Sequence, residues 1–191
     1  MARAERSGLR RERAALLGSA HGRVLEIGAG TGLNVEHYGA AVRELVLSEP
    51  DEEMARRLEA RAERREGTTL VRAPADALPF DDARFDNVVS TLVLCSVPDQ
   101  AAVLREVRRV LAPGGSLLLY EHISAEPGTR LARWQRRLNR PWRRLGRGCN
   151  VDRDLRATLA AESFAGQVEV GNRPFMPVLT RRVLVGAVRP V

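Results

Sequence analysis

The residues best suited to chemistry are a glycine-rich run, three carboxylates, one histidine and two cysteines. The run is Glu26-Ile-Gly-Ala-Gly-Thr-Gly32. Without Cβ atoms, Gly28, Gly30 and Gly32 let the backbone lie against a ligand and adopt φ values closed to other residues. Ala29 and Thr31 sit between them in the same loop. Glu49 follows Gly28 by 21 residues, close to the spacing of about 20 for a ribose-binding acid in an open α/β sheet. A carboxylate there accepts hydrogen bonds from both ribose hydroxyls at once. It also suits the positive end of a helix. Asp76 lies past a strand end, where it can cap a short turn. His122 closes another strand on the ligand side of the sheet and is the candidate base; His21 and His37 lack that placement. Cys95 and Cys149 show neither a disulfide framework nor a zinc spacing. No metal is expected, and the two cysteines are read as small polarizable pocket walls.

The elements that must position these residues follow from periodicity. Val24–Ile27 reads as a buried strand opening into the glycine loop and a short helix over Leu33–Tyr38. Glu44–Ser48 reads as a second strand, and Pro50 suits the first turn of a helix over Glu52–Arg65. Met54, Leu58 and Ala62 form that helix's packed stripe. Thr69–Arg72 gives a third strand. Phe85–Leu94 is nearly continuous in apolar residues, as a central strand covered on both faces should be. A helix over Gln100–Leu111, a sharp turn at Ala112–Gly115 and a strand at Ser116–Tyr120 follow. A helix capped by Asp152 runs to Ser163, and Gln167–Val170 with Arg182–Val188 give a hairpin-like antiparallel edge. Strands alternating with helices predict a Rossmann-like, doubly wound α/β fold with seven mostly parallel strands and an antiparallel edge strand.

All 31 basic residues are arginine, and the net charge is +7, which favours acidic partners. Residues 1–191 read as one domain. Met1–His21 is charged and carries an expected helix over Ala4–Leu17, with no apolar stretch of a signal peptide. No run of eighteen apolar residues occurs, so no membrane span is expected, and two cysteines without a disulfide framework make a reducing cytoplasm the expected setting for the enzyme. From Pro127 to Asn150 arginines alternate with Leu131, Trp134, Leu138, Trp142 and Leu145, and Pro141 should break or bend the helix near Asn139. Residues 127–150 read as a lid-like cover over the active site. Arginine with interfacial tryptophan also suits a peripheral contact with an anionic membrane.

Glu26–Gly32, Glu49-Pro50, Asp76-Ala-Leu-Pro-Phe80, Phe85-Asp86 and Val110-Leu-Ala-Pro-Gly-Gly115 together resemble the class I S-adenosylmethionine-dependent methyltransferases of ubiquinone/menaquinone type. The likeness spans about residues 22–123. Thr91-Leu-Val-Leu-Cys-Ser-Val97, Glu121-His122 and Gly148-Cys-Asn150 narrow it to the methyltransferase-like seven group, membrane-associated enzymes implicated in alkyl-thiol methylation. The hydrophobic anchoring segment that opens such proteins has no counterpart in Met1–His21, so permanent membrane attachment is not expected.

The resemblance implies roles by position. Glu26 meets the methionine amino group of the cofactor, and Gly28–Gly32 border the methionine moiety. Glu49, with Pro50 after it, takes the ribose. Asp76 and the Ala77 N–H hold the adenine, and Met54 packs on its face. Leu92 and Val93 line the approach to the sulfonium. The expected acceptor is a small, partly apolar molecule, with an alkyl thiol the leading choice and quinone-type or phospholipid acceptors the alternatives. Its pocket mouth is expected among Leu94, Cys95, His122, Trp134 and Cys149.

Three other classes fit less well. An NAD-dependent oxidoreductase wants a third glycine where Leu33 stands. A nucleic-acid methyltransferase fits the charge but wants an Asn/Asp-Pro-Pro-aromatic signature after the fourth strand, so no nucleic acid is expected. A non-catalytic lipid-binding module leaves the cofactor residues unused.

Overall fold

The computed structural model describes residues 8–191. The beginning of the helix expected from Ala4 lies outside them, and the described helix α1 covers Arg10–Leu17. The chain continues through β1 (Gly22–Ile27), β2 (Val42–Ser48), α2 (Glu52–Ala62), β3 (Thr68–Val71), β4 (Phe85–Thr91) and α3 (Gln100–Val110). Then come β5 (Leu111–His122), α4 (Arg130–Leu145), α5 (Leu155–Ala161), β6 (Phe164–Asn172) and β7 (Arg182–Pro190). Seven strands form one sheet in the order β3-β2-β1-β4-β5-β7-β6. The pairs from β3 to β5 are parallel, whereas β7 runs antiparallel to both neighbours. The expected mixed α/β sheet is thus present, with the reversed strand next to the edge and β6 outside it.

Two apolar clusters sandwich the sheet because successive strand residues point to opposite faces. Leu25, Ile27 and Val88 pack with Val103, Leu104 and Val107 of α3 and with Leu155 and Leu159 of α5. Val24, Leu45, Leu47 and Val89 pack with Leu17 of α1 and Leu58 of α2 on the other face. This two-sided covering explains the unbroken apolar run of β4.

Several local expectations change. Only one 3-10 turn, Val35–His37, forms where a helix was expected over Leu33–Tyr38. Asn34 and Tyr38 on either side of it turn their polar groups onto Glu26 instead. Helix α2 stops at Ala62, and the Arg65 guanidinium beyond it donates to the carbonyls of Tyr38, Gly39 and Val42. Pro50 stands before the helix, whose N-cap is Asp51, accepting from the Met54 N–H at 2.9 Å. Asp154, not Asp152, caps α5. The Ala112–Gly115 turn is a bulge within β5, since Phe85 pairs with Leu111 but Asn87 with Ser116. Helix α4 passes through Pro141 unbroken. An interior proline costs a helix about 3 kcal/mol, and side chains on both flanks offset it. Asn139 accepts from the Val151 N–H at 3.0 Å, while the Trp142 indole N–H donates to Cys149 Sγ at 3.3 Å.

Candidate active site

Strand β1 delivers the glycine loop at the carboxyl edge of the sheet, where Gly28, Gly30 and Gly32 have φ of +57°, +59° and +78°. Two of these glycines are packed against neighbours. A Cβ on Gly28 would lie 2.7 Å from Val93 Cγ1, and one on Gly32 would lie 2.5 Å from Leu58 Cδ1. Gly30 differs. A Cβ there would meet nothing nearer than Gly28 O and Met54 Sδ, both at 3.9 Å. The bare backbone of Gly30 therefore faces a space that a ligand can enter, with Met54 on its border. Met54 is half-buried, and Ala55 takes its place beside Leu58 and Ala62 in the buried stripe of α2. Thr31 is held by its carbonyl, which accepts from Arg61.

Glu49 is buried at the end of β2, as its spacing requires. Its Oε2 accepts from the Gly30 N–H at 2.7 Å and its Oε1 from the Asp51 N–H at 2.9 Å. Each oxygen keeps a lone pair, so the carboxylate is aimed and still able to take two hydroxyls. This site fits the nucleoside and methionine parts of S-adenosylmethionine. Asp76 and Ala77 are exposed beyond β3. The Ala77 N–H turns back to Pro74 O at 3.3 Å, a long bond at the limit for N–H···O.

Glu26 lies deeper than its expected role suggests. Its Oε1 accepts from Asn34 Nδ2 at 2.9 Å and its Oε2 from Tyr38 OH at 2.6 Å. Arg13 from α1 donates to Asn34 Oδ1 at 2.8 Å. Burial pushes the Glu26 carboxyl up to about 7, although those hydrogen bonds and Arg13 oppose the shift. Asn34 Nδ2 also reaches Thr91 Oγ1 at 3.1 Å, linking this network to the end of β4. Arg13, Asn34 and Tyr38 were not among the site residues expected from the sequence. The available signal was the short distance from Glu26 to Asn34 and Tyr38, polar side chains just past the glycine loop.

Strand β4 ends at Thr91 rather than running to Leu94, because Leu92 adopts φ +59°. A branched residue in the left-handed region costs about 1 kcal/mol or more, and Glu121 compensates. Its Oε1 accepts from the Val93 N–H at 2.8 Å, the Leu94 N–H at 3.2 Å and the Ser90 hydroxyl at 2.7 Å. Glu121 is wholly buried, which raises its carboxyl above the ordinary range. Like Arg13, Asn34 and Tyr38, it has a role here that the sequence did not disclose. The fixed turn places Val93 on Gly28 and carries Cys95 inward.

His122 ends β5 and is buried. Its Nε2 lies 2.9 Å from Cys149 Sγ, while its Nδ1 is buried without a hydrogen-bond partner. The ligand atoms of Cys95, His122 and Cys149 all lie within 4.8 Å of one another. Asn150 draws the two cysteines together, since its backbone N–H and Nδ2 both donate to Cys95 O, at 2.8 and 3.1 Å. Cys149 is pushed down, first by the hydrogen bond from Cys95 and then by the imidazole, while that same bond and burial push Cys95 up. The tryptophan at this cluster is Trp142, not Trp134, which is 51% exposed.

Residues 25–119 match the methyltransferase domain family. The chain is 38% identical to the human "Thiol S-methyltransferase TMT1A" over 146 residues, covering 74% of this chain and 59% of that protein. It is 32% identical to the "Demethylmenaquinone methyltransferase" of Thermobifida fusca over 126 residues, covering 62% and 52%. The chain spans only 59–64% of the length of the thiol methyltransferases it matches. Among solved structures, a 1,6-didemethyltoxoflavin-N1-methyltransferase of Burkholderia thailandensis, with bound S-adenosylhomocysteine, superposes with a TM-score of 0.71 at 19% identity, covering 96% of this chain and 78% of that one. That likeness supports the fold.

Proposed function

We propose that this chain, which belongs to the methyltransferase-domain family, methylates the sulfur of a small alkyl thiol with S-adenosylmethionine as donor. One observation carries the choice of acceptor. The carboxyl ends of β4 and β5 present a buried, largely apolar cluster in which a histidine nitrogen lies 2.9 Å from sulfur. The likeness to thiol S-methyltransferases supports it. When bound, the donor supplies a methyl group already activated on a sulfonium. The protein therefore has to align and deprotonate rather than build an electrophile.

Glu49 would hold the ribose, and Gly28, Ala29, Gly30, Thr31 and Gly32 the methionine backbone and its borders. Asp76 and Ala77 would take the adenine edge, with Pro50 setting the turn after Glu49 and Met54 facing the ring. Glu26 would reach the amino group through the Asn34 network, and Leu92 and Val93 would wall the methyl. A thiol must become a thiolate to attack. His122 is the proposed base, because a neutral imidazole accepts a proton on its free nitrogen. Residues 127–150 would cover the acceptor as a lid.

The test is a labelled-methyl assay across thiols, quinols, phospholipids and amines. Thiols should turn over fastest. His122→Ala should lose at least tenfold at neutral pH and recover part of this as pH nears the thiol's own value, about 8.5. An enzyme that methylates quinol or phospholipid while ignoring every thiol would favour the demethylmenaquinone-type reading.

A second reading concerns the outer face of α4. Trp134 is 51% and Leu145 84% exposed, on a helix that carries seven arginines. No described helix is long and apolar enough to cross a membrane. A peripheral contact with an anionic bilayer suits this face. Co-sedimentation with anionic vesicles should be strong at low salt and fall as salt rises; weak, salt-insensitive binding would leave only a covering role.

A further inference from the structure

We propose that Cys95, His122 and Cys149 form a zinc site, bound through the two Sγ atoms and His122 Nε2, whose fourth position takes the sulfur of the acceptor. The inference rests on the thiol reading. It moves activation of that sulfur from the imidazole alone to a metal that the imidazole helps to hold.

Geometry carries the argument. The three donor atoms lie within 4.8 Å of one another, all three residues are buried, and they come from three separate segments. Tetrahedral zinc with Zn–S of about 2.3 Å and Zn–N of about 2.0–2.1 Å sets its donors roughly 3.5–3.8 Å apart. The His122–Cys149 contact is 2.9 Å, so these two need separate by less than an ångström to admit the ion. The donor set is equally specific. Two thiolates and an imidazole suit zinc, whereas calcium and magnesium want oxygen. A three-ligand Cys2His site is also the kind that keeps an open position for substrate.

The scaffold already holds both cysteines from outside. Glu121 fixes the turn that leads to Cys95 through the Val93 and Leu94 N–H groups. Asn150 ties the Cys149 loop to the Cys95 carbonyl. The Trp142 indole N–H donates to Cys149 Sγ at 3.3 Å, a contact that would stabilise a metal-bound thiolate. Gly146 leaves room for that indole, since a Cβ there would lie 3.0 Å from Trp142 Nε1. With zinc on Nε2, the neutral ring carries its proton on Nδ1.

Charge and electron balance agree. Two thiolates, a neutral imidazole and Zn2+ sum to zero. An arriving thiol binds through sulfur and loses its proton to solvent, giving a site of charge −1 that attracts the sulfonium. A sulfur lone pair of the bound thiolate forms the new C–S bond. The C–S bond of the sulfonium breaks and its electron pair stays on the departing sulfur. Overall, thiol plus S-adenosylmethionine gives methyl thioether, S-adenosylhomocysteine and one proton, with nothing oxidised or reduced. The cysteines enter as ligands, a role their separation in sequence concealed.

The test begins with the wild-type full chain, purified after growth with zinc and analysed by mass spectrometry for metal. We expect about one zinc per chain, falling at least tenfold in Cys149→Ser and Cys95→Ser, with folding checked by thermal melting. Cobalt substituted in the wild-type protein should show the visible bands of tetrahedral thiolate coordination and shift when an alkyl thiol is added. This readout needs neither turnover nor a variant. Removal of the metal should lower thiol methylation at least tenfold, and added zinc should restore it. A wild-type protein that binds no zinc overturns the inference. A metal-free protein that methylates thiols at the full rate also overturns it and leaves the proposed function standing. Stoichiometric zinc whose cobalt form ignores thiols, in a protein that methylates only quinol or lipid, overturns the fourth-ligand assignment together with the thiol reading.

Discussion

Around Gly28–Gly32 the proposed site is built from backbone, whereas around Cys95 and Cys149 it is built from side chains gathered from distant segments. In the first region one strand, one loop and one following acid suffice. Glu49 accepts from Gly30 across only 19 residues. In the second, His122 meets Cys149 across 27 residues, and Asn150 meets Cys95 across 55. The two regions join at Val93, which packs on Gly28 and donates its N–H to Glu121. A common donor requires the same backbone shape whatever the acceptor, so the first region is set by local chain geometry. The acceptor region is set by long-range contacts, which can change without disturbing the loop.

The comparison breaks most sharply at Glu26, an acid in the backbone-built half that is buried among side chains. Its carboxyl titrates near 7 in the folded protein and at 4.5 when unfolded. Between those values the folded state holds more protons. The stability linked to Glu26 is therefore fully present below about pH 4.5 and is lost as pH rises through about 7. The shift corresponds to about 3 kcal/mol at most. Glu26→Gln keeps the shape and removes the charge, and the Tyr38 hydroxyl can rotate to suit the amide. Chemical denaturation should find the variant more stable than wild type at pH 8, by up to about that amount, with the gap closing at pH 4. An equal gap at both pH values would show that burial of charge is not the cause.

The next effect falls on Glu49. Glu49→Ala removes the proposed ribose acceptor and the anchor for the Gly30 and Asp51 N–H groups. Charge-assisted hydrogen bonds contribute about 1.5–3 kcal/mol, so calorimetry should show S-adenosylmethionine binding roughly ten- to a hundredfold weaker. Cobalt bands at the cysteine cluster should be unchanged. Unaltered cofactor affinity would remove Glu49 from the site.

What the sequence could reveal follows the same division. Apolar runs, glycine spacing and Pro-Gly-Gly punctuation depend on neighbours within a few residues, and they located all seven strands. Leu33–Tyr38 failed as a helix because Asn34 and Tyr38 are spent on Glu26, a demand from the buried interior that local propensity does not express. Pro141 failed as a helix breaker because Asn139 and Trp142 are anchored to Val151 and Cys149. Trp134 was expected at the pocket mouth. Which of several apolar positions on an arginine-rich helix turns inward depends on what lies beneath, and there the Trp142 indole finds sulfur. The cysteine–histidine cluster was hidden for a similar reason. Its members stand 27 residues apart in each interval, unlike the short spacings of a sequence-local zinc motif.

The smallest predicted effect tests the acceptor half alone. Asn150 is buried, and its Nδ2 donates to Cys95 O and Gly148 O, both at 3.1 Å. Asn150→Ala removes both bonds and the longer one its Oδ1 accepts from Asn139 Nδ2 at 3.4 Å, but leaves the backbone bond to Cys95 O at 2.8 Å. The loop should loosen rather than detach. Each neutral hydrogen bond contributes about 0.5–1.5 kcal/mol, and relaxation toward the remaining backbone bond should keep the stability loss near the lower end. Because Asn150 touches neither the glycine loop nor Glu49, the affinity for S-adenosylmethionine should stay at the wild-type value. Acceptor KM should rise a fewfold, with a smaller change in kcat, as the Cys149 side of the pocket becomes less well placed. Asn150→Asp keeps the acceptor that faces Asn139 Nδ2 but sets a carboxylate oxygen against the Cys95 carbonyl, so it should be worse than alanine. If Asn150→Ala instead weakens the cofactor and leaves acceptor kinetics alone, the two regions are not built independently.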